Sequence, residues 1–248
     1  TGDTRPGFCN MTSNYPVEVI SAIADAFQRE KVQFAVDVGD HMFSCWGDKA
    51  PQAQMEAFMR ATTRFAGGWF MTMGNHECHD DVCLPGSDDT NFTAYMAALK
   101  PVSKLPWYSV DVKTSLGLAR FVVIAENAWG STQKRWLEKT LADADANARY
   151  VIATKHYPTQ HKKTNTAVND VLAKHKITLL LTGHRHSYTR VSGTKVPELV
   201  IGIGGAPLQD SSFHGYGIIE QLSSGELQVS VFKTDTSQLI HRWTVPAP

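Results

Sequence analysis

Short apolar runs recur along the chain at Phe34–Val38, Trp69–Met73, Phe121–Ala125, Tyr150–Ala153 and Ile177–Leu181. Each is continuous rather than alternating and rich in branched residues, which predicts strands buried on both faces. Helical spacing fills the intervals. Val19, Ile20, Ile23, Ala26 and Phe27 predict a helix opening near Asn14 and Pro16, and Met55, Phe58, Met59 and Phe65 a second. The stretch "STQKRWLEKTLADADA" opens on a Ser/Thr cap and stacks Trp136, Leu137, Leu141 and Ala144, and "AVNDVLAKHK" makes a shorter helix. Strands alternating with helices predict a largely parallel sheet. The last third changes character. "ELVIGIGG", "YGIIEQL", "LQVSVFKT" and "LIHRWTV" are runs joined by tight turns, which predicts an antiparallel end and two sheets packed face to face.

The polar residues that stop these runs carry the chemistry. "FAVDVGDH" ends in Asp40, "FMTMGNHE" in Asn75-His76-Glu77, "YVIATKHYP" in His156, and "ITLLLTGHRHSY" in His184 and His186. Gly2-Asp3 has the same form, as the turn after a strand that would lie upstream of residue 1. A single Asp or Asn in such a place is ordinarily a turn residue or helix cap. In a parallel α/β sheet, however, all these ends gather at one edge, where ligands bind. Asp3, Asp40, Asn75, His156, His184 and His186 together offer carboxylate and amide oxygens and imidazole nitrogens, a set suited to zinc, manganese or iron.

Composition narrows the class. The 248 residues are 42% hydrophobic, enough for one large domain spanning 1–248, and no Pro/Gly-rich linker divides them. Lys plus Arg and Asp plus Glu both total 24, so no basic excess points to nucleic acid or an anionic membrane. No apolar run nears the roughly 18 residues of a membrane span. The four cysteines permit three pairings. Cys78 and Cys83 bracket a short polar loop, and Cys9 and Cys45 each follow a Gly-Asp pair, which favours these two bridges and a secreted or periplasmic setting. Four free thiols, or a zinc site including Cys78, His79 and Cys83, are the alternatives.

In order along the chain, "GDTR", "VGDHMF", "GNHE", "KHYP" and "TGHRH" resemble the calcineurin-like metallophosphoesterase family, over nearly the whole length. The resemblance implies an α/β fold, a two-sheet mixed β-sandwich flanked by helices in four α/β/β/α layers. It implies a dinuclear centre of two divalent or trivalent ions (Fe, Mn or Zn). Asp40 would bridge both ions, Asn75, His156 and His184 would complete one site, and Asp3 and His186 would belong to the other. His76 would stabilise the phosphoryl group, and Glu77 would act from behind the site or serve structure alone.

Two positions depart from the family pattern. The usual Asp-x-His of the first motif has Arg5 at its third position, and the Tyr that replaces that His in the purple acid phosphatase branch is Phe43 here. The first metal site is thus one ligand short. His41 could fill the gap or point away as a turn residue; Arg5 could hold a substrate phosphate with Asn75 and His76, or pair with a carboxylate. Glu77, Asp80, Asp81, Asp88 and Asp89 predict an acidic loop over the site, unfavourable to long polyanions. Tyr157, His161 and His214 are candidate pocket residues, and "NMT" at Asn10 and "NFT" at Asn91 match glycosylation acceptors. The expected function is hydrolysis of small phosphate monoesters. A phosphodiesterase on the same metal core, or a phosphate- or metal-binding relative with little turnover, are the alternatives.

Overall fold

Pro16, which has no side-chain acceptor, stands at the N-cap of α1, Val17–Arg29. The computed structural model describes residues 1–45, 49–191 and 193–246. α1 buries Ile20, Ile23, Ala24 and Phe27. β1, Phe34–Val36, follows, and α2, Ala50–Thr62, starts with Pro51 in its first turn, where no amide proton is required. Phe65, expected on this helix, lies beyond its end. β2, Gly68–Phe70, runs parallel to β1. Both strands are shorter than their apolar runs, because the chain beyond Val36 turns its hydrogen bonds to other segments. Asp37 N still donates to Phe70 O of β2 at 3.1 Å, but Val38 N donates to Thr1 O at 3.0 Å and Asp3 N to Gly39 O at 2.9 Å.

The helix α3, Thr90–Leu99, and the strand β3, Tyr108–Thr114, have no counterpart in the periodicity read above. α3 is started by Asp89, whose side chain accepts from Asn91 N and Phe92 N. β3 is antiparallel to β4, Gly117–Val123. After α4, Ser131–Asn147, with Gly130 rather than Ser131 at the N-cap, come β5, Tyr150–Thr154, and α5, Thr166–Leu172, capped by Asn165. β6, Leu179–Thr182, β7, Tyr188–Val191, and β8, Glu198–Ile201, complete a sheet of order β3-β4-β5-β6-β8-β7. β4, β5, β6 and β8 are mutually parallel. "ELVIGIGG" is therefore not part of the antiparallel end: β8 is buried throughout and extends the parallel sheet beside β6. The antiparallel meander is β9, Gly215–Gln221, β10, Leu227–Lys233, and β11, Leu239–Val245.

Four layers result. Val122, Val151, Ala153 and Leu180 on one face of the large sheet pack against Leu137 and Leu141 of α4 and Val168 and Val171 of α5. Ile152, Leu179, Leu181 and Leu199 on the other face meet Leu227, Val229 and Val231 of β10. The residues 1–4 join β1 to the meander, with Thr1 Oγ1 donating to Gly215 O at 3.2 Å. Across this second layer lies α1, whose Phe27 contacts both Trp69 and Tyr216. Among the described residues no helix is long and apolar enough to cross a membrane.

Candidate metal centre

The loops that follow the parallel strands meet at one edge, and their backbones are bent to do so. Asp3 (φ 55°), Asp40 (φ 61°) and His184 (φ 64°) all lie in the left-handed region, which costs a non-glycine residue of order 1–3 kcal/mol. Such strain persists where the surroundings over-determine it. Gly74 makes the approach possible: a Cβ there would strike Asp40 Oδ1.

One group of side chains converges closely. Asn75 Oδ1 lies 3.1 Å from His156 Nε2 and 3.0 Å from His184 Nδ1. His156 Nε2 is also 3.3 Å from Asp40 Oδ1 and 3.3 Å from His184 Nδ1. The other nitrogen of His156, Nδ1, donates to Val38 O at 2.7 Å, which turns Nε2 into the cluster. Asn75 Nδ2 donates to Asp81 Oδ1 at 3.3 Å, so its carbonyl oxygen is the atom facing inward. Burial and the charge of His156 push His184 down to about 3, leaving its ring neutral. Burial opposes the charge of His156, but Asp40 outweighs it and raises its pKa to about 10, so a bound cation would displace the Nε2 proton. Two imidazole nitrogens, an amide oxygen and a carboxylate oxygen thus converge on one point. These residue types fit a zinc- or manganese-like cation.

A second group adjoins it through Asp40. Asp3, Asp40 and His186 present ligand atoms within 4.8 Å of one another. His186 repeats the device of His156, with Nδ1 donating to Pro207 O at 2.7 Å and Nε2 turned inward, 3.5 Å from Asp3 Oδ1. Asp3 Oδ1 is buried with no hydrogen-bond partner. Burial raises the Asp3 carboxyl to about 8 against the pull of His156. Burial opposes ionisation of Asp40 as well, but His156 and His76 outweigh it and hold that carboxyl well below the usual range. His76 overlooks both groups: its side chain is 22% exposed, its Nε2 lies 3.9 Å from Asp40 Oδ2, and burial lowers its pKa.

A family model described as calcineurin-like phosphoesterase matches residues 14–188. The chain belongs to that family. The matched span holds Asp40, Asn75, His76, His156, His184 and His186, whereas Asp3 and Arg5 precede it. Several solved structures share the fold. GAP50, the anchor in the inner membrane complex of Plasmodium, is 15% identical with a TM-score of 0.68, covering 100% of this chain and 87% of that one. A dimetal phosphatase from Danio rerio is 14% identical with a TM-score of 0.65, over 94% and 89% of the two chains. The purple acid phosphatase PPD1 from yellow lupin seeds is 18% identical with a TM-score of 0.64, over 98% of this chain and 52% of that one. At such identities these likenesses establish the fold. A search of curated protein sequences finds no match.

Behind this calcineurin-like centre lies a buried charge network that residue spacing did not reveal. Glu77 is fully buried, and its Oε2 accepts from Asp40 N at 3.0 Å and Gly74 N at 2.5 Å. Its Oε1 accepts from His41 N at 2.8 Å and lies 3.3 Å from His41 Nδ1. His41 Nε2 in turn lies 3.0 Å from Asp37 Oδ1. His41 therefore does not face the cluster; it links two buried carboxylates. Burial opposes its charge, but Asp37 and Glu77 prevail and raise its pKa well above the ordinary value. Lys155, also buried, pairs with Glu126 at 2.9 Å and donates to Tyr157 O, which fixes the turn carrying His156.

The remaining candidates divide. Tyr157 and His161 stack at 5.4 Å and both rings adjoin His184, at 4.5 and 4.4 Å, so they wall the first group. His214 sits at the start of β9, where its carbonyl accepts from Thr234 N. The acidic loop is less of an anionic overhang than its composition suggests. Glu77 is internal, Asp89 caps α3 and holds His79 at 2.8 Å, and Asp81 bridges Asn75 to Lys163, leaving Asp80 and Asp88 exposed. Both expected disulfides form. Cys78–Cys83 closes the loop after His76, and Cys9–Cys45 ties the Asp3–Arg5 loop to the Asp40–Phe43 loop. Asn91 is buried and donates from Nδ2 to His76 O at 2.9 Å, so it cannot carry a glycan in the folded chain.

Proposed function

We propose that the chain is a metal-dependent phosphomonoesterase acting on small phosphorylated substrates. One observation carries this reading: Asp40, Asn75, His156 and His184 bring their ligand atoms together at a common point, and His76 Nε2 lies 3.9 Å from the Asp40 carboxylate. A bound divalent ion there would supply Lewis-acid polarisation of the phosphoryl oxygens and acidify a water molecule toward neutral pH.

The chain's own groups would do the rest. His156 and Asn75 are oriented by Val38 O and Asp81, so the site is formed before substrate arrives. Burial disfavours the charged form of His76, whose neutral ring can still donate a hydrogen bond from its N–H to a phosphoryl oxygen; protonation of the leaving oxygen would need the imidazolium that a bound phosphate dianion favours. Arg5 faces the same space with a planar guanidinium suited to two phosphate oxygens. Two fixed donors beyond the first group match the charge of a monoester dianion better than that of a diester. The two disulfides support an oxidising, extracytoplasmic compartment.

The test is hydrolysis of an aryl phosphate monoester and the matching diester by protein reconstituted with zinc, manganese or iron, beside His76→Asn. The expected outcome is metal-dependent turnover, faster on the monoester, that falls at least about a hundredfold in the variant. Faster diester cleavage would make the chain a phosphodiesterase. Absence of turnover on both esters would favour a second reading, phosphate binding without catalysis, for which the position of Arg5 against the second group is the supporting observation.

A further inference from the structure

The second group of ligand atoms differs from the first in that a cation already stands against it. Arg5 Nε lies 3.6 Å from Asp40 Oδ2, and Arg5 Nη2 lies 3.4 Å from His186 Nε2. These are the inward-facing atoms an ion would need. The guanidinium is held from two more sides. Nη1 donates to Pro6 O at 3.1 Å, and the group lies over the Phe43 ring, 4.7 Å from its centroid. Only 13% of the Arg5 side chain is exposed. The loops carrying Arg5 and Phe43 are tied together by Cys9–Cys45 and by the hydrogen bond from Thr4 N to Asp40 O at 2.9 Å.

A second metal ion does not fit these residues. Zinc requires ligand atoms at about 2.0–2.2 Å and normally four of them. A position that close to His186 Nε2 and Asp40 Oδ2 would lie against a guanidinium that has like charge and no lone pair. Nor can Phe43 complete the set, since a phenyl ring has no donor atom. Arg5 already supplies positive charge to this group, through Asp40 Oδ2.

We infer that the Arg5 guanidinium takes the place of the second metal ion, so that each chain holds one divalent ion, at Asp40, Asn75, His156 and His184. Arg5 and Phe43 then form one device. The aromatic face that cannot ligate a metal is the surface on which the guanidinium stacks. A phosphoryl group would be gripped between a single ion and a forked organic cation that cannot dissociate. The inference rests on the metal-dependent reading above and deepens it.

Metal content, rather than turnover, tests it. Wild type, Arg5→His, Arg5→His/Phe43→Tyr, His184→Ala and His186→Ala would be loaded with excess zinc or manganese and desalted. Metal per chain would be measured by plasma mass spectrometry, with circular dichroism as the check on folding. One ion per chain is expected in wild type, none in His184→Ala, one in His186→Ala, and two in Arg5→His/Phe43→Tyr. Two ions in wild type would overturn the inference, as would a wild-type ion that is lost in His186→Ala but kept in His184→Ala. A single ion in a folded double variant would also overturn it, by showing that Arg5 excludes nothing. No ion in wild type would sink the metal-dependent reading itself. The comparison of His184→Ala with His186→Ala decides the matter even if the double variant fails to fold.

Discussion

Glu77→Gln removes one charge and almost no volume, yet the structure assigns it a large cost. The Glu77 carboxylate accepts from Asp40 N, Gly74 N, His41 N and the His41 ring, all in a region without solvent. A glutamine offers one oxygen and one NH₂ group. If the oxygen faces Asp40 N and Gly74 N, the NH₂ confronts His41 N and Nδ1, and the reverse placement is no better. Two buried N–H groups then lose their acceptor, at about 1–3 kcal/mol each. His41 also loses one of its two carboxylates, and breaking a buried ion pair typically costs about 3–5 kcal/mol. These contributions overlap, so the expected loss is about 4 kcal/mol out of a total stability of about 5–15 kcal/mol.

The assay is urea unfolding followed by circular dichroism, with a thermal scan beside it. For a chain of this size each kcal/mol moves the melting temperature by about 2–4 °C, so a fall of about 8–16 °C is expected. The same substitution should loosen Asp40, whose amide Glu77 holds, and weaken metal binding. A Glu77→Gln protein within about 1 kcal/mol of wild type would refute the reasoning, because the unmet donors could not then be buried as described.

Two more outcomes follow from neighbouring features. The folded pKa of His41 is raised above the unfolded value of about 6.5, so its contribution to stability is full below that pH and is lost as pH rises through the folded pKa. Nitrogen NMR should accordingly find both ring nitrogens of His41 protonated at about pH 8, and a neutral ring there would contradict the Asp37–His41–Glu77 network. Cys9–Cys45 spans 36 residues and Cys78–Cys83 only 5, so loop-closure entropy predicts losses of about 4 and about 2 kcal/mol for the paired Cys→Ser variants. A larger loss from the short loop, measured by urea unfolding, would show that the short bridge acts by placing His76 and Glu77 rather than by constraining the unfolded chain.

What the sequence by itself determined is what neighbouring residues can encode. Apolar runs of a few residues marked β1, β2, β4, β5 and β6, and the polar residues closing them marked Asp40, Asn75, His156, His184 and His186, because a strand and its end are local in the chain. It could not show α3, whose apolar residues lack a clear stripe, or that β8 pairs with β6 instead of the meander, since partner choice depends on which edge is free once the rest has packed. The identity of side chains at the centre was legible; their relations were not. His41 and Glu77 flank ordinary metal motifs, and only burial together shows that they and Asp37 form a sealed network. Arg5 was visible as a departure, but its meaning came from His186, 181 residues away, and from the face of Phe43. A residue pattern records periodicity and chemical type along the chain, whereas the position of a charge against a distant lone pair exists only after the strand ends have met.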